Sequence, residues 1–245
     1  MPILSNSPNY FLSSLPSQDA ELLQPHIKLM EFPTGAVLYK DEDPITRVYF
    51  PYTGIVSFVV GVTSGEFVEA GVIGRNSAIG VSAPIDGGIA INEAIVQVAV
   101  SGAAIEVTKL KQLAGESQTL RASFARHEEM ALAQAQHVAA CNALHNLEQR
   151  LARWLLHAHD LLSDDIVPLT QDYLSQMLGV HRSSVTLAAR HIQEAGVIDY
   201  HRGHIRIVDV EALKDVSCEC YQAINALFLR LIGWSPNGLT QAVKR

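Results

Sequence analysis

The chain has 245 residues, enough for two modest domains with cores of their own, and its 48% hydrophobic content excludes general disorder. A formal net charge of −7 excludes a molecule coated in basic surface. No apolar run reaches the roughly eighteen residues that span a bilayer, and the N-terminus MPILSNSPNY lacks the basic start of a signal peptide, so no membrane partner and a cytoplasmic location are expected.

Residues 1–29 read as a polar leader with a short helix around Asp19 to Leu29. From Met30 to Val107 the pattern changes to short β-rich segments separated by turn residues: Gly35–Tyr39, Arg47–Phe50, Ile55–Val60, Phe67–Ala70 and Ala94–Val100. Many short strands with regular glycines predict a β-barrel or sandwich, able to hold a small ligand or none. Residues 30–107 contain no histidine or cysteine, so this part offers no metal-ligand cluster and no nucleophile–base pair of the usual kind.

Helix formers take over from Thr108, and a long alanine-rich helix is expected from about Ser117. Leu120, Phe124, Ala131, Ala135 and Val138 lie along one side of it. So narrow an apolar stripe suits pairing with a second copy of the same helix, the competing expectation being that it packs on its own barrel. Leu147, Leu151, Trp154 and Leu155 mark a further amphipathic helix, and Leu162–Asp165 a loop.

The stretch from Pro168 to Val208 carries the most specific pattern. Thr170 can cap a short helix with Leu174, Met177 and Leu178 at helical spacing, and Gly179 supplies the left-handed residue that ends it. A second helix begins near Arg182 and keeps Val185, Ala189 and Ile192 on one face until Gly196. Val197, Ile198 and Tyr200 then read as a strand, Arg202–Gly203 as a turn and His204–Ile207 as the returning strand. Helix, turn, helix and hairpin in this order describe a winged DNA reader, with Ser183, Leu187 and Arg190 opposite the buried face. Residues 181–206 hold four Arg against Glu194 and Asp199, with four His besides, so basic charge is concentrated where DNA would lie.

Beyond the wing, Val210 to Trp234 reads as one C-terminal helix, and SPNGLTQAVKR as a loose tail. Cys141, Cys218 and Cys220 are too few and too badly spaced for a disulfide framework or a four-thiolate metal site. Cys218 and Cys220 could in principle clip a metal or sense an oxidant, but two thiols one residue apart in a helix project in different directions, so packing is their expected role, and neither a metal nor a cofactor is expected.

Taken together these residues resemble the Crp/Fnr transcription regulators over nearly the whole chain. FPTGAVLYKDED is similar to the opening of their sensory β-roll and GVIGRNSAIG to its middle glycine turns. The alanine-rich helix resembles their dimer helix, and LTQDYLSQMLGVHRSSVTLAARHIQEAGVI their DNA-reading motif. The resemblance implies an α+β chain: an N-terminal cyclic-nucleotide-binding-like jelly roll (1–115), a central dimerisation helix (116–146) and a C-terminal winged helix-turn-helix domain (147–245). It also implies a homodimer on a palindromic promoter site, with RNA polymerase as a further partner, and no enzymatic activity. By the same resemblance the DNA-binding set comprises Thr170, His181 at the cap position, Arg182, Ser183, Ser184, Thr186, Leu187, Arg190, Arg202 and Arg206. Arg182 can reach guanine O6 and N7 from the first helical turn, and Arg190, Arg202 and Arg206 look like phosphate partners.

The chain departs from the cyclic-AMP-binding members. Where these carry a glutamate for the ribose and an arginine–serine pair for the phosphate, this chain has Gly80–Val81 and then Asn92–Glu93. No Lys or Arg occurs from Asn76 to Thr108, so a degenerate effector pocket and no cyclic AMP gating are expected. The absence of cysteine before Cys141 excludes the N-terminal iron–sulfur centre of the oxygen-sensing members. The effector, if any, has no signature, and the alternative to a regulator is a small-β-barrel ligand-binding or enzymatic protein with a helical accessory domain.

Overall fold

The computed structural model describes residues 4–63, 67–86, 88–201 and 203–236, the side chain of Asp86 excepted. The N-terminal segment is not a polar leader. After a 3-10 turn at Leu4–Asn6 come α1 (Tyr10–Ser13) and α2 (Ser17–Leu23), followed by a second 3-10 turn over Gln24–His26. The helix expected to reach Leu29 stops at Leu23, because Pro25 has no N–H to extend the ladder, and Lys28–Phe32 is strand β1. Asn9 caps α1 by accepting the Leu12 N–H, and its amide donates to the carbonyls of Pro51 and Ser77 at 2.9 and 2.7 Å. Phe11, Leu12 and Leu23 are fully buried, so this segment closes one end of the core.

Six further strands complete a two-sheet β-roll: β2 (Val37–Tyr39), β3 (Arg47–Pro51), β4 (Ile55–Gly61), β5 (Phe67–Ile73), β6 (Glu93–Val98) and β7 (Val100–Glu106), with the one-turn α3 (Ala83–Asp86) between β5 and β6. All pair antiparallel, in the orders β1-β7-β3 and β2-β6-β4-β5. The expected single strand Ala94–Val100 is two strands in different sheets, with the corner at Ala99. Gly54 accommodates that corner: its backbone is left-handed (φ 82°), and a Cβ there would strike the carbonyls of Val98 and Ala99. Along β4 and β5 the pleat serves two cores. Val56 and Ile73 face the roll interior, whereas Ile55 and Val72 join the core of the C-terminal domain.

Helix α4 (Val107–Glu116) leads into α5 (Gln118–Leu144), which starts where Ser117 accepts the Leu120 N–H. At 100° per residue α5 presents three faces, each with a different setting. The stripe expected to pair two chains is the roll-facing one. Leu120 and Phe124 lie in the roll core, Phe124 stacked on Phe11 at 5.0 Å, and Val138 is buried within the chain. The second face meets α10 (Cys220–Ile232), where Met130 packs with Ile224, Phe228 and Trp234. The third, Ala125, Glu129, Leu132, Gln136, Ala139 and Ala143, is exposed and repeats at alternating steps of four and three.

The C-terminal domain is built on α6 (Leu147–Leu162), capped reciprocally by Asn146 and Gln149 and buried almost continuously from Arg150 to Ala158. Around it lie β8 (Ile166–Val167), α7 (Gln171–Leu178), α8 (Arg182–Glu194), β9 (Ile198–His201), β10 (His204–Ile207) and α9 (Val210–Val216). The strands pair in the order β8-β10-β9. The single C-terminal helix expected from Val210 to Trp234 is two helices, α9 and α10, broken at Ser217–Glu219. Among the described residues no helix is long and apolar enough to cross a membrane.

Candidate nucleic-acid interface

Helix α7 begins where Thr170 accepts the Tyr173 N–H at 3.3 Å and ends at Gly179, whose left-handed backbone (φ 61°) turns the chain toward α8. Leu174 and Leu178 from α7, and Val185, Ala188, Ala189 and Ile192 from α8, share the core of α6 and the hairpin. Burying that face leaves Arg182, Ser183, Thr186, Leu187 and Arg190 exposed on the other side of α8. The helix is held by its back, and its other side is open to solvent.

Apart from Arg202, the predicted residues have definite settings. His181 occupies the N-cap of α8 without a side-chain capping bond. The Arg182 guanidinium is 3.0 Å from Asp172 Oδ1 on α7, with both side chains more than half exposed. The Thr186 hydroxyl is 2.8 Å from Gln171 Oε1 and 3.0 Å from the Arg182 carbonyl, linking the two helices across the turn. Ser184 and Leu187 line a shallow surface groove with Asn146, Leu147 and Glu148. Arg190 Nε stands 3.5 Å from Glu194 Oε1. Arg206 is exposed on β10, paired in register with Asp199, near the base of the wing and away from its tip. Arg202 lies outside the described residues. Two of the predicted cations therefore carry acidic neighbours, Asp172 and Glu194, of which only Glu194 stood out in the sequence.

The reading unit is docked on the roll through buried polar contacts. Glu69, on β5, accepts hydrogen bonds from Ser57 Oγ at 2.6 Å and from Trp154 Nε1 of α6 at 2.8 Å. Burial pushes its carboxyl up to about 7, against the opposing pull of Ser57, the Arg153 charge and Trp154. Gln97 Nε2 on β6 reaches Met177 Sδ of α7 at 3.3 Å. Val60, Phe67 and Val68 of the β4–β5 hairpin face Gly179, Val180 and His181 across a cleft of about 450 Å³. Sequence reasoning missed Glu69, whose one signal is a carboxylate within the apolar run of Phe67–Ala70.

The predicted effector residues assemble in part. Gly80, Val81 and Asn92 line a cavity of about 240 Å³ between the roll and α5, with Tyr39, Phe58 and the roll-facing Ala131 and Ala135 of α5. Glu93 does not line it and begins β6 instead. Among the described residues the lining contains no Lys or Arg, and its one ionisable acid is Glu128. Such a wall favours an apolar or neutral guest over a phosphate.

Residues 149–216 match the model of the Crp-like helix-turn-helix domain. No curated protein shows significant sequence similarity to the chain. Among solved structures, FixK2 from Bradyrhizobium japonicum is similar with a TM-score of 0.69 at 15% identity, over 78% of this chain and 98% of that one. A transcriptional regulator of the CRP family from Thermus thermophilus gives 0.64 at 17% identity, over 77% and 96%. The c-di-GMP-responsive global regulator CLP of Xanthomonas campestris gives 0.61 at 16% identity, over 78% and 99%. Residues 149–216 are thus a Crp-like helix-turn-helix domain, and the chain as a whole shares the fold of the Crp/Fnr regulators.

Proposed function

We propose that the chain is a DNA-binding transcriptional regulator of the Crp/Fnr type, that it acts as a homodimer on a two-fold symmetric operator, and that cyclic AMP does not gate it. The observation that carries the dimer is the exposed third face of α5. Leu132 is 60% exposed on it, between Ala125 and Ala139, in the 3.5-residue repeat that two close-packed helices share. Pairing there leaves the α10-facing side of α5 undisturbed and covers the rim of the cavity that Leu132 lines beside Ala131 and Ala135. Two copies of α8 would then enter successive major grooves about 34 Å apart, with Arg182, Ser183 and Thr186 toward the bases and Arg190 and Arg206 toward phosphates.

The reading on cyclic AMP rests on the cavity wall. A cyclic phosphate placed beside Gly80, Val81 and Asn92 would meet the Glu128 side of α5 and no guanidinium, so its desolvation would go uncompensated.

The test is a titration on duplexes carrying one half-site or two, selected from random sequence by the purified protein, with and without cyclic AMP. Tight binding to two half-sites a helical turn apart, unchanged by the nucleotide, is expected. A monomer bound to a single half-site overturns the dimer, and a cyclic AMP-dependent gain in affinity overturns the ungated pocket.

A further inference from the structure

The C-terminal end of α5 and the bend between α9 and α10 meet in a cluster of four metal-ligating side chains. Cys141 leaves the last turn of α5, and His145 is the residue on which that helix ends. Cys218 lies in the bend after α9, and Cys220 opens α10. One donor atom from each, three sulfurs and an imidazole nitrogen, all lie within 4.8 Å of one another. Cys141 Sγ is 3.4 Å from Cys218 Sγ, and Cys220 Sγ is 3.7 Å from His145 Nδ1. The three thiols are buried, and the His145 side chain is only 14% exposed.

The break in the C-terminal helix makes this convergence possible. In one continuous helix residues 218 and 220 would point about 200° apart. With Ser217–Glu219 out of the helix, both sulfurs turn to the end of α5.

The spacing is that of ligands around a single ion. Sulfurs held about 2.3 Å from a tetrahedral centre stand about 3.8 Å apart, and a sulfur and an imidazole nitrogen about 3.6 Å. A disulfide would bring two sulfurs to about 2.05 Å and leave the third thiol and the histidine unexplained. The imidazole is also oriented: its Nε2 is 3.2 Å from Glu219 Oε1, which leaves Nδ1 facing Cys220. A carboxylate behind a ligating histidine is the usual outer support of such a ligand. Three thiolates around a dication leave one negative charge, and the Arg150 guanidinium stands close by, bonded to Asn142 Oδ1, the neighbour of Cys141 in the chain, and to the Leu178 carbonyl.

We propose that Cys141, His145, Cys218 and Cys220 form a structural site for one zinc-class dication. Sulfur and imidazole donors select such a borderline-soft ion over magnesium or calcium, and four protein ligands leave no open position for catalysis. The ion would tie α10 to the joint at His145–Asn146, where α5 ends and α6, the centre of the DNA-binding domain, begins.

The full-length protein, purified anaerobically without chelator, is expected to hold one zinc per chain. Stripped of metal and titrated with Co2+ alone, it should develop the thiolate-to-cobalt charge-transfer band and visible bands of a tetrahedral site. Cys218→Ser and Cys220→Ser should each lose the metal, and zinc should raise the melting temperature of the parent but not of Cys220→Ser. Absence of a charge-transfer band in the parent protein overturns the site. So does full zinc content in both serine variants, or a Cys141–Cys218 disulfide in the anaerobic protein. The cobalt titration uses the parent chain, so a poorly folding variant does not decide the result. No readout involves DNA, so a failure to bind an operator bears on the proposed function and not on the metal.

Discussion

Trp154 of α6 donates its indole N–H to Glu69 of β5 at 2.8 Å, so a buried carboxylate of the roll and the central helix of the DNA-binding domain share one hydrogen bond. Both residues are almost fully buried, and Arg153 beside them is buried as well. A partly charged acid is thereby held between the two domains, supported by Ser57 on its own sheet. An apolar pair would fill the same space. The polar contact fixes one angular setting of α6 on the roll, because the bond is lost if either element slides.

Glu69→Ala should destabilise the protein by about 1–3 kcal/mol, since it leaves the buried Trp154 N–H without its acceptor. Trp154→Phe keeps the ring packing and removes one donor, and should cost about 1–3 kcal/mol. The two losses should not add in a double-mutant cycle followed by urea unfolding. Additivity would mean that the contact carries no coupling between the domains.

Stability should fall on acidification between pH 6.5 and 4.5. His127, bonded to Ser77 Oγ at 2.6 Å, and His157, against the ring of Tyr221, are each pushed down to about 3, first by burial and then by a neighbouring Arg. A depressed histidine contributes stability that is present above its unfolded value of about 6.5 and is lost as pH falls toward the folded one. Glu69 has the opposite sign. Its raised folded value makes its contribution complete below about 4.5 and lost as pH rises through 7. In this window the unfolded chain holds two protons on these groups and the folded chain one. Stability should therefore rise with pH by about 1.4 kcal/mol per unit from these three residues. His127→Gln should flatten that slope, and Glu69→Gln should about double it. Urea unfolding at half-unit steps of pH measures both.

Much of the architecture is legible in the residues themselves, because local chemistry decides it. Arg47–Phe50 and Ile55–Val60 are dense in β-branched and aromatic side chains, and Thr170, Gly179 and Gly196 mark the ends of α7 and α8 by capping and left-handed backbone. The corner at Ala99 is not legible, since Ala94–Val100 is a near-continuous apolar run without a breaker and only closure of the two sheets divides it. Nor is the break at Ser217–Glu219, which has neither Gly nor Pro. The stripe of Leu120, Phe124, Ala131, Ala135 and Val138 is correctly apolar but its partner is not written in it. A helix shared three ways spreads its apolar residues around its circumference, and only the positions of the roll and α10 show which face remains. The cysteine cluster fails for the same reason, because residues 141 and 218 become neighbours only when α10 returns along α5.

The two candidate stripes on α5 give opposite expectations. Leu132→Glu places a charge on the exposed third face and should shift the protein toward monomer in sedimentation velocity at micromolar concentration, with little change in the unfolding of each chain. Phe124→Ala empties space between Phe11 and the roll core and should cost about 3–5 kcal/mol of stability, yet leave the assembly intact at temperatures where the chain is folded. Reversed behaviour of the two variants would return the dimer contact to the first stripe.

The last expectation separates reading from holding. In the free protein Arg182 is engaged by Asp172 at 3.0 Å, so entering the groove means exchanging an exposed carboxylate for a guanine edge. Arg182→Ala should therefore reduce discrimination between the selected operator and scrambled DNA by roughly 1–3 kcal/mol, while affinity for scrambled DNA changes less. Arg206 lies at the wing base opposite Asp199, and Arg206→Ala should weaken both duplexes about equally and reduce the salt slope by about one unit. Asp172→Asn adds a third arm: it releases Arg182 and removes a negative charge from the DNA-facing side, so binding should strengthen on both duplexes, most at low salt. Titrations of the three variants at several salt concentrations measure all of this. If Arg182→Ala leaves the specificity ratio untouched while Asp172→Asn raises affinity, Arg182 holds phosphate and the bases are read by Ser183, Thr186 or the wing.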